Sequence, residues 1–290
     1  MNFLSKTPAI NMHITLFAAL LLNLFSCSLD KVYNNQNAET APQYQPVIDT
    51  MILPSEPVDT LNVEKLAKTP LDSNSRVIYL TFDDGPLTPT PFLTEIITEK
   101  QIKMSAFAVG MHALMNKAFM RHLDAMKKSP LIEVCNHSYS HAYGKYQNFY
   151  SRPQAAAQDI INNEEKLGLL TRIVRMPGRD IWATDSIKRG WAQTGGKTAK
   201  ILLERGFKIY GWDMEWEHYG NSLPKLSPEQ LVALIESMFK RNVTFTPNHL
   251  VFLGHDEMLA KEKGRQDLRK IIDMLKERGY IFEFISHYPR

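Results

Sequence analysis

From Val77 onward, short apolar runs alternate with longer stretches of helical periodicity. Val77 to Phe82 (VIYLTF) is a β-branched and aromatic run that meets Asp83, Asp84, Gly85 and Pro86, so a buried strand is predicted to stop abruptly at a loop. Comparable runs recur at 105–109, 131–135, 173–176, 208–212, 250–253 and 280–285. Helical stretches lie between them at 91–100, 114–128, 153–169, 196–205, 228–241 and 263–278. This alternation predicts an α/β domain with a parallel sheet and helical crossovers. About seven strands in a chain of this length suit a distorted (β/α) barrel. Functional side chains of such folds gather at the C-terminal ends of the strands.

The first quarter of the chain reads differently. Residues 14–25 are apolar apart from Thr15 and Asn23, and Lys6 is the sole charged side chain before position 27. That is the length of a signal core and too short to span a bilayer comfortably, so residues 1–26 are expected to direct export. The run ends in Leu24, Phe25, Ser26 and Cys27, which resembles a bacterial lipobox and marks Cys27 as a lipidation site that would anchor the protein to a membrane. Residues 27–75 contain no glycine and five of the sixteen prolines, with scattered Asn, Gln and acidic residues. Such a segment is expected to be an extended tether, leaving residues 76–290 as the folded domain.

Composition narrows the chemistry. With 44% hydrophobic and 22% charged residues the chain can build a core, and 34 Lys and Arg against 31 Asp and Glu leave +3. No Lys/Arg block is present, so nucleic acid is set aside as a partner. Cys27 and Cys135 are the only cysteines, which excludes a disulfide framework and a cysteine zinc site. A metal would have to be held by His, Asp or Glu. Three polar clusters fall just after predicted strands: Asp83 with Asp84, His137 with His141, and His255 with Asp256. Of two adjacent carboxylates, one can ligate a metal while its neighbour takes a proton. Two histidines four apart, read as facing one side of a helical turn, complete a His₂Asp set with a position left for water. Ser222 lacks the GxSxG elbow, and GGKT at 195–198 has Trp191 where a P-loop needs glycine.

Taken together, TFDDGP at 81–86, NHSYSH at 136–141, RMPG at 175–178, WDMEW at 212–216 and LGHD at 253–256 resemble the polysaccharide deacetylases of the NodB-homology type, carbohydrate esterase family 4. The resemblance spans about Val77 to Ile285. It implies a distorted (β/α) barrel and one divalent metal ion, zinc favoured, with cobalt or nickel as alternatives. It also implies hydrolysis of N- or O-acetyl groups on an envelope or extracellular polysaccharide. By motif, Asp83 would be the general base, and Asp84, His137 and His141 the metal ligands. Arg175 would hold Asp83, and His255 would be the general acid oriented by Glu215. The Gly178 backbone N–H would meet the oxyanion, and Trp216 would line the acetyl groove. Two departures stand out: Gly178 and Arg179 follow Pro177 where the family has an aromatic residue and then glycine, and Glu215 replaces Asp before Trp216. Tyr143 and Tyr146 follow the histidines, where they could stack on sugar rings. Trp182, Trp191 and Cys135 are read as structural. Two other readings of the same residues are an inert glycan-binding surface lipoprotein and an amidohydrolase acting on small cyclic amides.

Overall fold

In a computed structural model, residues 68–185 and 187–289 are described. The signal segment, Cys27 and nearly all of the expected tether therefore lie outside the described residues. No helix among the described residues is long and apolar enough to cross a membrane.

All seven expected runs form strands: β1 (Val77–Asp83), β2 (Met104–Ala108), β3 (Ile132–Asn136), β4 (Ile173–Val174), β7 (Lys208–Ile209), β9 (His249–His255) and β10 (Ile281–Phe282). Three two-residue strands join them: β5 (Trp182–Ala183), β6 (Lys188–Arg189) and β8 (Met214–Glu215). The order is β6-β5-β7-β4-β3-β2-β1-β9-β8, parallel apart from β5 and β6, with β10 also on β1. β9 runs along the whole of β1, whereas β2 pairs with Thr81–Asp83 and β10 with Val77–Ile78. No pairing joins β8 to β6, so the sheet curls into an open half-barrel, the distorted form of the expected architecture.

Every residue of β1 is buried, as expected for a strand covered on both faces. Ile78, Leu80 and Phe82 point outward into the layer under the helices, while Val77 and Tyr79 pack inside the barrel with Phe107, Cys135, Trp182, Tyr210 and Val251. Cys135 is fully buried and free, consistent with a core role.

The helices follow the sequence closely. They are α1 (Thr90–Lys100), α2 (Gly110–Met115), α3 (Lys117–Lys128), α4 (Tyr146–Tyr150), α5 (Pro153–Leu167), α6 (Gly196–Glu204), α7 (Pro228–Lys240) and α8 (Glu262–Glu277). The expected 114–128 helix is broken at Asn116, whose side chain caps a new helix by accepting from Ala118 and Phe119 N–H, both at 2.9 Å. Ser227 and Gln230 form a capping box that starts α7. Segment 285–288 plugs the end of the barrel where the strands begin: Ile285 N–H donates to Ser105 Oγ at 2.9 Å and Ser286 N–H to Glu133 Oε2 at 3.2 Å. Ordered contacts start before Arg76, because Thr69 N–H donates to buried Glu283 at 2.7 Å and Lys103 pairs with that carboxylate at 2.9 Å.

One core contact sets a pH dependence. His249 Nδ1 lies 2.8 Å from the Tyr79 hydroxyl, and burial, aided by the Lys68 charge, pushes its imidazole down to about 4. An unfolded histidine takes up its proton near 6.5. Between those values the unfolded chain binds more protons than the folded one, so stability falls as pH drops through that window. Thermal melts from pH 7 to 4 should show Tm declining from about pH 6.5, with a flatter decline in His249→Gln.

Candidate active site

The C-terminal ends of β1, β3, β4, β8 and β9 bring the singled-out residues together. A cleft of about 290 Å³ is lined by Asp83, Asp84, His137, His141, Tyr146, Gly178, Trp212, Glu215, Leu253 and His255. Asp83 and His255 are register partners on neighbouring strands, which explains how residues so far apart in sequence face one cleft.

Asp83 is held from below by Arg175, which is completely buried. Arg175 Nη1 donates to Asp83 Oδ1 at 2.9 Å and to Thr81 Oγ1 at 2.7 Å, while Nη2 donates to Gly211 O at 2.9 Å and Nε to Tyr210 O at 3.3 Å. Its guanidinium also sits 4.3 Å from the centre of the Phe107 ring. A buried cation with this many acceptors is geometrically fixed, and it leaves Asp83 Oδ2 to face the cleft.

The two histidines do not share a helical turn. His137 continues from β3, and the chain then passes through left-handed backbone at Ser138 (φ 70°), His141 (φ 49°), Ala142 (φ 55°) and Tyr143 (φ 50°). The loop is held by Asp159, which accepts from Tyr139 and Ser140 N–H at 3.0 and 3.2 Å, and by Asn136, which accepts from Ser138 N–H at 2.8 Å. The expected convergence is reached by a different backbone path. His137 Nδ1 lies 2.8 Å from Arg175 O, so it carries the proton and donates, turning the Nε2 lone pair toward the cleft.

Asp84 Oδ1 lies 3.0 Å from His141 Nε2 and 3.5 Å from His137 Nε2. Ligand atoms of these three residues lie within 4.8 Å of one another. Asp84 Oδ1 is buried without a hydrogen-bond partner, and an orphaned carboxylate oxygen facing two imidazole nitrogens fits a divalent cation. The electrostatics agree. Burial would raise the Asp84 carboxyl, but the His141 imidazole 3.0 Å from it and the charges of His137, His141 and His255 hold it well below the usual carboxylate range. Burial keeps His137 down, in the neutral form that a metal needs. For His141, burial is outweighed by the close approach of Asp84 and the charges of Asp84 and Asp83, which raise it.

On the opposite wall, Glu215 Oε1 approaches His255 Nδ1 to 4.0 Å, an ion-pair separation rather than a hydrogen bond, and that nitrogen is buried without a partner. Asp256 is turned elsewhere. It accepts from Thr90 Oγ1 and packs against Gly85, where a Cβ would meet its Oδ2 at 2.7 Å. Burial, with repulsion from Asp84 and Asp83, pushes Asp256 up to about 7.

One expected substrate contact, Trp216, is corrected. Trp216 is fully buried against Phe252, because strand alternation sends Met214 and Trp216 into the core and turns Glu215 to the cleft. The tryptophan on the cleft is Trp212, whose backbone N–H donates to Asp180 Oδ1 at 3.1 Å. Tyr143 is 68% exposed and borders a neighbouring groove, its left-handed backbone having turned it outward. Tyr146 does line the cleft, edge-on to His141 at 5.8 Å. Gly178 lines it too; its φ of 62° and the Tyr146 ring, 3.0 Å from where a Cβ would stand, leave room for glycine alone. Trp182 is fully buried and Trp191 packs on the core, both as expected.

Sequence reasoning missed two histidines. His112 Nδ1 lies 2.6 Å from Asp84 O and steadies that backbone. His218 packs edge-on to His255 at 5.9 Å and pairs with Glu257 at 3.0 Å. Neither carried a local signal, since each is a lone histidine on an ordinary helix or loop.

A curled parallel sheet with carboxylates and histidines converging at its C-terminal edge is the arrangement in which barrel enzymes carry their sites. Residues 71–188 match the polysaccharide deacetylase family model, the family that the motifs between Val77 and Ile285 resemble. The chain is 26% identical to a peptidoglycan-N-acetylglucosamine deacetylase of Bacillus cereus over 74% of this chain and 72% of that one. It is 22% identical to a chitin disaccharide deacetylase of Vibrio alginolyticus over 73% and 71% of the two chains. The fold is similar to that of the catalytic domain of a peptidoglycan N-acetylglucosamine deacetylase from Eubacterium rectale, with a TM-score of 0.55, 24% identity, and coverage of 77% of this chain and 94% of that one.

Proposed function

We propose that this protein removes N-acetyl groups from a cell-envelope or extracellular glycan, using one divalent ion, zinc favoured, held by Asp84, His137 and His141. The observation that carries the reading is the orphaned Asp84 Oδ1 between two imidazole nitrogens, beside an Asp83 that Arg175 has fixed. When bound, the metal supplies a Lewis acid for the acetyl carbonyl and lowers the pKa of water.

The chain's own residues divide the proton work. As the water oxygen bonds to the acetyl carbon, its proton passes to Asp83. Charge developing on the former carbonyl oxygen is met by the Gly178 N–H. The C–N bond then breaks while His255 delivers a proton to the nitrogen, which otherwise leaves poorly at neutral pH, giving acetate and a free amine. Glu215 stands 4.0 Å from His255 Nδ1 and orients that ring. Tyr146 supplies an aromatic wall. A groove lined by Gly144–Asn148 and Arg179 adjoins the cleft at Tyr146, which favours a polymer over a small cyclic amide.

Acetate release from N-acetylglucosamine oligomers should be abolished by chelation and restored by zinc. Binding of those oligomers without any release by the zinc-loaded protein would favour the inert glycan-binding reading.

The export signal, the tether and the Cys27 anchor complete the proposal, and would hold the domain at a bacterial envelope membrane. Cys27→Ser should move the protein from the membrane to the soluble fraction on cell fractionation, because one signal-length apolar run anchors poorly without acylation. Equal membrane retention would remove the anchor.

A further inference from the structure

We propose that the groove beyond Tyr146 is a subsite for a carboxylate carried by the glycan, built around Arg179 and Lys145; this rests on the deacetylase reading and names the class of polymer it acts on. The groove, about 480 Å³, is lined by Gly144, Lys145, Tyr146, Gln147, Asn148 and Arg179. Tyr146 belongs to both the groove and the catalytic cleft, so a chain whose acetyl group sits at the metal ligands runs directly into it.

Arg179 is half-buried and already immobilised. Its guanidinium lies 5.7 Å from the Tyr146 ring centre and 5.0 Å from that of Tyr150. Nε donates to Thr194 O at 2.7 Å and to Thr194 Oγ1 at 3.0 Å, Nη2 donates to Thr194 Oγ1 at 2.7 Å, and Nη1 donates to Gly178 O at 2.6 Å. All of these acceptors are neutral. An N–H on each terminal nitrogen is left over, the spacing that suits the two oxygens of a carboxylate. A pinned cation stacked on rings and paired with no anion among the described residues gives up little entropy when an anion arrives.

The surroundings reinforce the charge. Neither Lys145 nor Arg152 has a carboxylate partner among the described residues. Lys145 also borders a second groove with Arg152, whose one lining carboxylate, Asp159, is engaged by the amides of Tyr139 and Ser140. A neutral polymer would leave this cationic strip without counter-charge, whereas a glycan with a carboxylate on the sugar next to the acetylated one would neutralise it.

The test compares kcat/KM for acetate release at low ionic strength on two oligomers of equal length. Both alternate N-acetylglucosamine with N-acetylmuramic acid, one with free lactyl carboxylates and one with those carboxylates amidated. A preference of roughly tenfold for the free acid is expected from a charge-assisted contact, shrinking as salt is added. Arg179→Gln and Lys145→Gln should each collapse the ratio, and Arg179→Lys should keep part of it. The Lys145 variant matters because Arg179 also holds the Gly178 carbonyl. Calorimetric binding of the same oligomers to the Asp83→Asn protein reads the groove without turnover. A carboxylate preference in binding with no acetate release by the wild type would sink the deacetylase reading and keep the subsite. Release without any preference, or a preference that survives both substitutions, would overturn the subsite. Tighter binding of a phosphorylated N-acetylglucosamine oligomer than of the free acid would overturn the assignment to carboxylate.

Discussion

Purified Asp83→Asn protein should retain its metal and release acetate roughly a thousandfold more slowly than the wild type, the scale expected when a general base is lost. Asp84→Asn and His137→Ala should lose metal and activity together. The division follows from the geometry. Asp83 spends Oδ1 on Arg175, whereas Asp84 Oδ1 has no hydrogen-bond partner and faces both Nε2 atoms. Metal content measured beside acetate release decides the matter, and equal metal loss in Asp83→Asn would merge the two roles.

Arg175→Met should cost about 3–5 kcal/mol of folding stability, because it leaves a buried carboxylate without its cation. Asp83 is 3% exposed and Arg175 is not exposed at all, so water cannot replace the lost partner. Denaturant unfolding should show the loss, and adding Asp83→Asn to Arg175→Met should recover part of it, since the stranded charge is then gone. A double variant as unstable as the single one would mean that Arg175 acts through its bonds to Thr81, Tyr210 and Gly211 instead. Turnover should be lost in both variants.

Much of this architecture is written in local pattern. The strand runs and helix periods from Val77 onward survive almost residue for residue, because each long element is buried on the faces that its apolar positions mark. Proline at the starts of α1, α5 and α7, and Gly168 in left-handed backbone after α5, made those ends legible. The short strands β5, β6 and β8 were not legible, since two residues carry no period. The residues that converge on the cleft were readable because each lies just beyond a strand. The path through and just past the second histidine was not, because Ser138, His141, Ala142 and Tyr143 adopt left-handed backbone, in a loop held by contacts to Asp159 and Asn136. Trp216 was misread for a related reason. A motif places residues in order, but whether a tryptophan faces the cleft or the core depends on strand parity, and Asp213 sets that register by accepting from Phe245 and Val251 N–H at 2.6 and 2.8 Å.

The clasp between Thr69 and Glu283 has a practical consequence. It joins the first described residues to the residue just after the last strand, at the pole where β1 begins, while the cleft opens at the pole where β1 ends. Whatever is spliced ahead of Lys68 therefore acts as a handle on the back of the barrel. A purification tag, a carrier protein or an immobilising bead attached there should leave the mouth free to ride along a polymer too large to diffuse.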